Sequence, residues 1–327
     1  MKESKICIIG NYSGKLDEGM GNVAFNLFES LHGEFEGLIL LNVNNIFKIH
    51  FWRKLISFKP DIIHFIPGPT MKTLFFIKFC KMLTNCKTVV TATRPVLPEN
   101  FKRFANFLKP DILIAQSNTD LEFFENLNYN VKFIPNGVNT EKFQPVDKQK
   151  KTELRQKFGF KEEDFIVLHI GPVNKARNQA SLLEIREGKI LLVASITNES
   201  DKNEMNFLKK QGVIIWQKYF KDVQEIYQIS DVYIFPGFKE KNSIQIPLSI
   251  LEAMACNIPV ISTRFGGLER IFKESEGFFF MDDVDKINEI ITKIKETKSF
   301  GVRKGVQHLS WKNISEETRT VYQSLIE

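Results

Sequence analysis

The chain has few of the residues that would point to a covalent or metal framework. Four cysteines (Cys7, Cys80, Cys86 and Cys256) occur in 327 residues and form no C-x-x-C pair. Cys7 falls in an apolar run and Cys256 at a helix end, so the four are read as reduced core thiols of a cytosolic protein. No apolar run approaches the ~20 residues that a membrane-spanning helix needs. Lys2, Glu3 and Lys5 precede only the short run 6–9, which is not the pattern of a signal peptide. There is no short-period repeat and no low-complexity tract. Charge of one sign does not dominate either. The formal net charge of +6 suits an anionic ligand or a membrane surface, but is too small to argue for nucleic acid.

The composition is 43% hydrophobic and 26% charged, with 30 Phe, which is ample for two cores at this length. Short continuous apolar runs recur at 5–9, 38–41, 62–66, 88–91, 112–115 and 131–134. Helical patterns lie between them at 22–31, 70–83, 100–108 and 119–127. Strands that are apolar without alternation, separated by helices, predict a parallel sheet covered on both faces. A turn cluster, Pro135-Asn136-Gly137-Val138-Asn139, and a lysine-rich polar stretch at 144–157 interrupt the pattern. It then restarts at 165–170, 190–194, 213–216, 232–235, 259–262 and 277–280. The expected architecture is α/β, two doubly wound Rossmann-like domains: 1–143, joined by a C-terminal helix at 311–327, and 144–310.

The stretch 231–267 is the most informative. An apolar strand ends at Pro236, a polar loop follows, a short helix opens near Pro247, and a second strand at 259–262 runs into Gly266-Gly267. Parallel strands joined by a helix bring their loops to one sheet edge. The unpaired N–H groups at the start of that helix, with its dipole, make an anion site. Glu252 sits about one and a half turns further on. A nucleotide fits this pairing, with phosphates on the amides and ribose hydroxyls on the carboxylate.

Several segments, in order, are similar to the motifs of glycosyltransferase family 4, a retaining family of the GT-B fold. Gly21 resembles the glycine of the loop after the first strand. Residues 110–117, PDILIAQS, resemble the family's "AD-x-IIA-x-S" strand. Residues 133–139, FIPNGVN, with Phe143 and Pro145, resemble its interdomain signature. LEAMAC at 251–256 and FGGLE at 265–269 complete the set. The resemblance implies two domains facing across a cleft, with the final helix returning to the N-terminal one. It also implies transfer of a sugar from a nucleotide-diphosphate donor in the C-terminal domain to an acceptor in the N-terminal domain, without a bound metal or other cofactor.

Carried over residue by residue, the resemblance makes Glu252 the ribose ligand and gives the phosphates to the Leu248 and Ser249 amides. Arg177 stands where the family's diphosphate lysine is usual, with Lys175 as a second candidate; a planar guanidinium suits phosphate well. Gly21 would let the backbone approach the donor. Three positions depart from the family pattern. Ile244 replaces the first glutamate of the two-glutamate motif, with Glu240 and Gln245 as nearby polar alternatives. Thr93 stands where an active-site histidine is usual, and Pro172 where an arginine is. No nucleophile is assigned; His64 and Thr93 are the only catalytic candidates. These losses motivate the alternative of a non-catalytic member that binds a nucleotide sugar or serves as a partner subunit. The basic-aromatic stretches 45–58 and 71–87 suggest peripheral contact with an anionic membrane. The expected location is thus cytoplasmic, with a glycan or lipid-linked acceptor and association with the inner membrane face.

Overall fold

The computed structural model describes residues 4–12, 19–35, 37–196, 200–238, 243–275, 277–297 and 299–326. The chain divides into two compact units, Met1–Gly137 with Ser243–Ile246 and Trp311–Glu327, and Val138–Asn242 with Pro247–Ser310. The division falls inside the 135–139 turn cluster rather than after residue 143, and the short segment at 243–246 goes with the first unit.

The first unit is built on β1 (Lys5–Gly10), β2 (Gly37–Asn42), β3 (Ile62–Phe65), β4 (Lys87–Thr91), β5 (Ile112–Ala115) and β6 (Val131–Phe133), paired in the order β2-β1-β3-β4-β5-β6. Every pairing is parallel. Helices α1 (Gly19–Leu31), α2 (Ile49–Phe58), α3 (Met71–Thr84) and α4 (Asn118–Glu125) alternate with the strands. β3 and β5 are buried along their whole length, as expected for strands covered on both faces.

Two copies of Lys-Pro-Asp-Ile, at 59–62 and 109–112, set strand register. Each aspartate precedes a strand and accepts a backbone N–H from a neighbouring one. The N–H of Lys5 donates to Asp61 Oδ2 at 2.8 Å, and that of Thr88 to Asp111 Oδ2 at 2.8 Å. Lys81 of α3 pairs with Asp111 at 2.7 Å, so this carboxylate also ties a helix to the sheet. Asp231 repeats the device in the second unit, accepting from Ile166 N–H at 2.8 Å.

One expected helix is altered. Residues 100–108 form a 3-10 stretch, Glu99–Arg103, followed by turns. Phe101, Ala105 and Leu108 are still buried at helical spacing, but Lys109 precedes Pro110, which disfavours α conformation there.

The second unit holds β7 (Ile166–Ile170), β8 (Lys189–Val193), β9 (Ile214–Trp216), β10 (Val232–Phe235), β11 (Val260–Ser262) and β12 (Phe278–Phe280), in the order β12-β11-β10-β7-β8-β9. Its helices are α5 (Lys148–Lys157), α6 (Lys202–Lys210), α7 (Gln224–Gln228), α8 (Leu248–Ala255), α9 (Leu268–Ile271) and α10 (Ile287–Glu296). This is doubly wound topology, with the order reversing between β7 and β10.

The last helix, α11 (Trp311–Ile326), buries Trp311, Ile314, Thr318, Val321 and Tyr322 within the first unit. Its start lies so close to Gly137 that a Cβ there would come within 2.6 Å of the Trp311 ring. Among the described residues no helix is long and apolar enough to cross a membrane.

Candidate functional site

In a doubly wound sheet, ligands bind beyond the carboxyl ends of the strands where the order reverses. In the second unit that place is defined by β7, which leads into residues 171–178, and β10, which leads towards α8. Arg177, Ser249 and Glu252 all belong to this region.

The loop after β7 is held from beneath by a chain of buried polar groups. His169 Nδ1 lies 2.8 Å from the Ile234 carbonyl. The carbonyl can only accept, so this nitrogen carries the proton and Nε2 is left as the acceptor. Gln179 Nε2 reaches that nitrogen at 3.2 Å and also donates to the Pro172 carbonyl at 2.8 Å. Its Oε1 accepts the Asn174 N–H at 3.0 Å. Burial holds the His169 imidazole neutral, with its pKa pushed down to about 4. His169 is therefore a structural support for the loop.

That support carries Arg177, on the short 3-10 turn Lys175–Arg177. The guanidinium lies over Gly171, where a Cβ would come within 2.8 Å of Nη1. Gly171 has φ +155, at the edge of the region that favours glycine. Arg177 is partly buried and Lys175 exposed. Arg177 is thus the cation fixed in place, while Lys175 extends into solvent.

Helix α8 begins after Pro247, whose backbone is extended. Ile250 N–H finds the Pro247 carbonyl at 3.2 Å, which leaves the Leu248 and Ser249 N–H groups without an intrahelical acceptor. The Ser249 side chain is oriented by Tyr233 of β10, whose hydroxyl donates to its Oγ at 2.7 Å. Glu252 is partly buried, and its Oε2 accepts the Tyr227 hydroxyl of α7 at 2.6 Å. Burial raises its pKa, while the Tyr227 hydrogen bond and the Lys142 charge pull it down. Burial pushes the Tyr233 pKa up; the smaller contributions include the Glu252 charge, which raises it, and the Arg177 charge, which lowers it.

Tyr227 and Tyr233, with Gln179, are the members that sequence reasoning did not single out. Their signal is weak, because an aromatic in a buried strand or helix reads as core. Only the hydroxyl partners separate them from Phe.

The first unit holds the remaining candidates. Gly21 is buried in the first turn of α1, not in the loop before it. His64 on β3 is buried between two hydroxyls, with Nδ1 2.6 Å from Tyr322 Oη and Nε2 2.6 Å from Thr91 Oγ1. Burial pushes its pKa down to about 3. Its two ring nitrogens are committed to a sheet strand and to α11, which is the geometry of a structural pin rather than of a proton-transfer group. Thr93 is fully buried and donates its hydroxyl to the Ile66 carbonyl at 3.0 Å. Its own carbonyl accepts the Gln245 N–H at 2.8 Å. Asn136 of the 135–139 cluster donates to the Ile246 carbonyl at 2.8 Å and accepts from Gln116 at 2.7 Å. Ile244 packs onto α1, where a Cβ on Gly19 would lie 3.2 Å from its Cδ1. The segment 243–246 therefore gives the first unit an apolar contact, one backbone–backbone hydrogen bond and one carbonyl acceptor for the Asn136 side chain. Glu240 lies outside the described residues.

Residues 150–303 match the family described as Glycosyl transferases group 1. EpsD of Bacillus subtilis, a glycosyltransferase by name, is 29% identical over 154 residues, covering 44% of this chain and 39% of that protein. The Escherichia coli UDP-Gal:alpha-D-GlcNAc-diphosphoundecaprenol alpha-1,3-galactosyltransferase is 26% identical over 190 residues, covering 53% of this chain and 47% of that one. The chain thus matches less than half the length of either relative. Among solved structures, Anabaena Alr3699/HepE in complex with UDP has a TM-score of 0.75 at 16% identity, covering 98% of this chain and 100% of that one. A glycosyltransferase from Rickettsia africae has a TM-score of 0.77 at 16% identity, with both chains covered completely. Residues 150–303 are thus similar to the group 1 glycosyltransferases, and the chain as a whole shares the fold of these solved structures, the GT-B fold that its resemblance to family 4 implies.

Proposed function

We propose that this chain is a retaining glycosyltransferase that moves a sugar from a UDP- or GDP-sugar to a glycan or lipid-linked acceptor. One observation carries the reading. Where the second sheet reverses order, a helix start with two available amides, a guanidinium fixed over Gly171 and a carboxylate held by Tyr227 lie on adjoining elements. The amides and Arg177 suit a diphosphate, and the free edge of Glu252 suits a vicinal diol. The Anabaena neighbour was solved with UDP, and the E. coli relative is named for a diphosphoundecaprenol-linked acceptor. That acceptor class fits a location at the inner face of a membrane, with peripheral contact through the basic-aromatic helices of the first unit.

In the proposed reaction the acceptor hydroxyl attacks the anomeric carbon, and the bond to the diphosphate oxygen breaks with its electron pair. The leaving phosphate, neutralised by Arg177 and the α8 amides, takes the acceptor's proton. His64 and Thr93 have no part in this scheme. No metal is assigned a role, so transfer by the purified chain should persist in excess EDTA. Incubation with a panel of UDP- and GDP-sugars and candidate acceptors, read by chromatography, tests both points. Nucleotide binding without transfer or donor hydrolysis would instead support the non-catalytic alternative, and loss of product on chelation would overturn the metal-free scheme.

Arg177→Ala should weaken binding of the nucleoside diphosphate by roughly 10- to 100-fold, the worth of one charge-assisted contact. Nucleoside binding should be nearly unchanged. Equal losses for both ligands in calorimetry would remove Arg177 from the phosphate site.

A further inference from the structure

Helices α2 and α3 of the first unit are apolar on two opposite sides, which a helix at the surface of a soluble domain is not expected to be. The inner side of α2 buries Phe51 and Leu55, and that of α3 buries Leu74, Ile77 and Cys80. On the outer side of α2, Ile49, Arg53 and Ile56 are exposed at i, i+4 and i+7. On the outer side of α3, Phe75, Phe79 and Met82 repeat that spacing, and Met82 is 73% exposed. Phe47, just before α2, is 94% exposed.

These stripes form one surface. Trp52 of α2 packs edge-on against Phe79 of α3, with ring centroids 5.5 Å apart. Phe75 meets Phe107 at 6.4 Å, and Lys78 Nζ lies 5.0 Å over the same ring. The altered helix at 99–108 therefore continues the patch, adding exposed Phe104 beside Lys102 and Arg103.

Charge identifies the occupant. Residues 48–109 contain twelve Lys and Arg against only Asp61 and Glu99, a net +10. The whole chain carries +6, so the rest of it is net −4. Lys81 is paired with Asp111, but Lys72 and Lys78 flank the α3 stripe. Large apolar side chains standing clear of the surface, bordered by cations, match the acyl and headgroup layers of an anionic bilayer. A polyanion in solution would not bury the aliphatic Ile49, Ile56 and Met82.

We infer that the face formed by α2, α3 and residues 96–107 docks on an anionic lipid bilayer, with Phe47, Phe75, Phe79 and Met82 entering the interface. Its use in reaching a lipid-linked acceptor rests on the transferase function proposed above; the docking itself does not.

The test is co-sedimentation of the full chain with vesicles of phosphatidylcholine alone or mixed with phosphatidylglycerol. Partitioning should be at least about ten-fold stronger on the anionic vesicles and fall as salt is raised. Phe79→Ser with Met82→Ser should cut it by about ten-fold or more. Lys72→Glu with Lys78→Glu should do so by a similar factor. Both pairs should remain folded, and neither should alter the thermal shift given by a nucleotide sugar. Equal partitioning on both vesicle types, indifference to either pair, or a dimer lost on Phe79→Ser without vesicle binding would overturn the proposal. Vesicle binding without any nucleotide-sugar shift would overturn the transferase reading and leave the docking surface standing.

Discussion

Glu252→Ala is expected to weaken nucleotide binding on the order of 100-fold while leaving the chain folded. A carboxylate that accepts two ribose hydroxyls makes two charge-assisted hydrogen bonds, together worth about 3 kcal/mol. In the folded protein Oε2 accepts the Tyr227 hydroxyl, so the carboxylate is already oriented and little ordering remains for the ligand to impose. The substitution also strips Tyr227, which is fully buried, of its acceptor, at a cost to stability of roughly 1–3 kcal/mol. Tyr227→Phe separates the two effects: it keeps the carboxylate and should lose far less affinity than Glu252→Ala. Isothermal titration with UDP and GDP measures both variants. Unchanged affinity in Glu252→Ala would remove the ribose role and with it the central support for the proposed function.

Tyr322→Ala is expected to destabilise the first unit by about 3–5 kcal/mol, the usual cost of truncating a buried aromatic. That is a large part of a domain's total stability, and the thermal midpoint should fall by roughly 10 °C. Tyr322 is fully buried, its ring lies 6.0 Å from Phe35 and its hydroxyl lies 2.6 Å from His64 Nδ1. Tyr322→Phe removes only the hydroxyl and should cost about 1–3 kcal/mol.

Burial of the histidine that Tyr322 meets gives a pH signature. The His64 imidazole has a folded pKa of about 3 against roughly 6.5 in an unfolded chain. Between those values only the unfolded state takes up the proton. The stabilisation is complete above about pH 6.5 and is lost as the pH falls towards 3. His169 acts in the same direction in the second unit, with a folded pKa of about 4. A His64→Gln variant should therefore retain part of the acid slope, but less than the parent chain. Calorimetric scans from neutral to acid pH test this; a Tyr322→Ala chain melting with the parent would show that α11 is not held as described.

Much of the fold was legible in the chain. Twelve apolar runs became twelve strands because a parallel strand covered on both faces must be apolar throughout, whatever its neighbours. The start of α8 was legible for a similar reason, since Pro247 followed by LSILEAMA writes a helix start locally. The places where reading failed share a cause. His64 resembled a catalytic candidate because its ring partner, Tyr322, lies 258 residues away. Thr93 looked like a substituted active-site position, yet its hydroxyl serves the Ile66 carbonyl. Gly21 looked like a loop residue because motif resemblance carries an approximate place along the chain, not a helix boundary.

The sequence alone thus determined the two α/β units, their strand succession and the helix start at α8, all of which follow from short-range periodicity and backbone preference. Only tertiary structure decided that Tyr227 and Tyr233 orient Glu252 and Ser249, that 243–246 joins the first unit, and that one side of α2 and α3 stays uncovered. Those outcomes depend on which distant side chains meet. A contact of that kind leaves no periodic trace in either of the segments that make it.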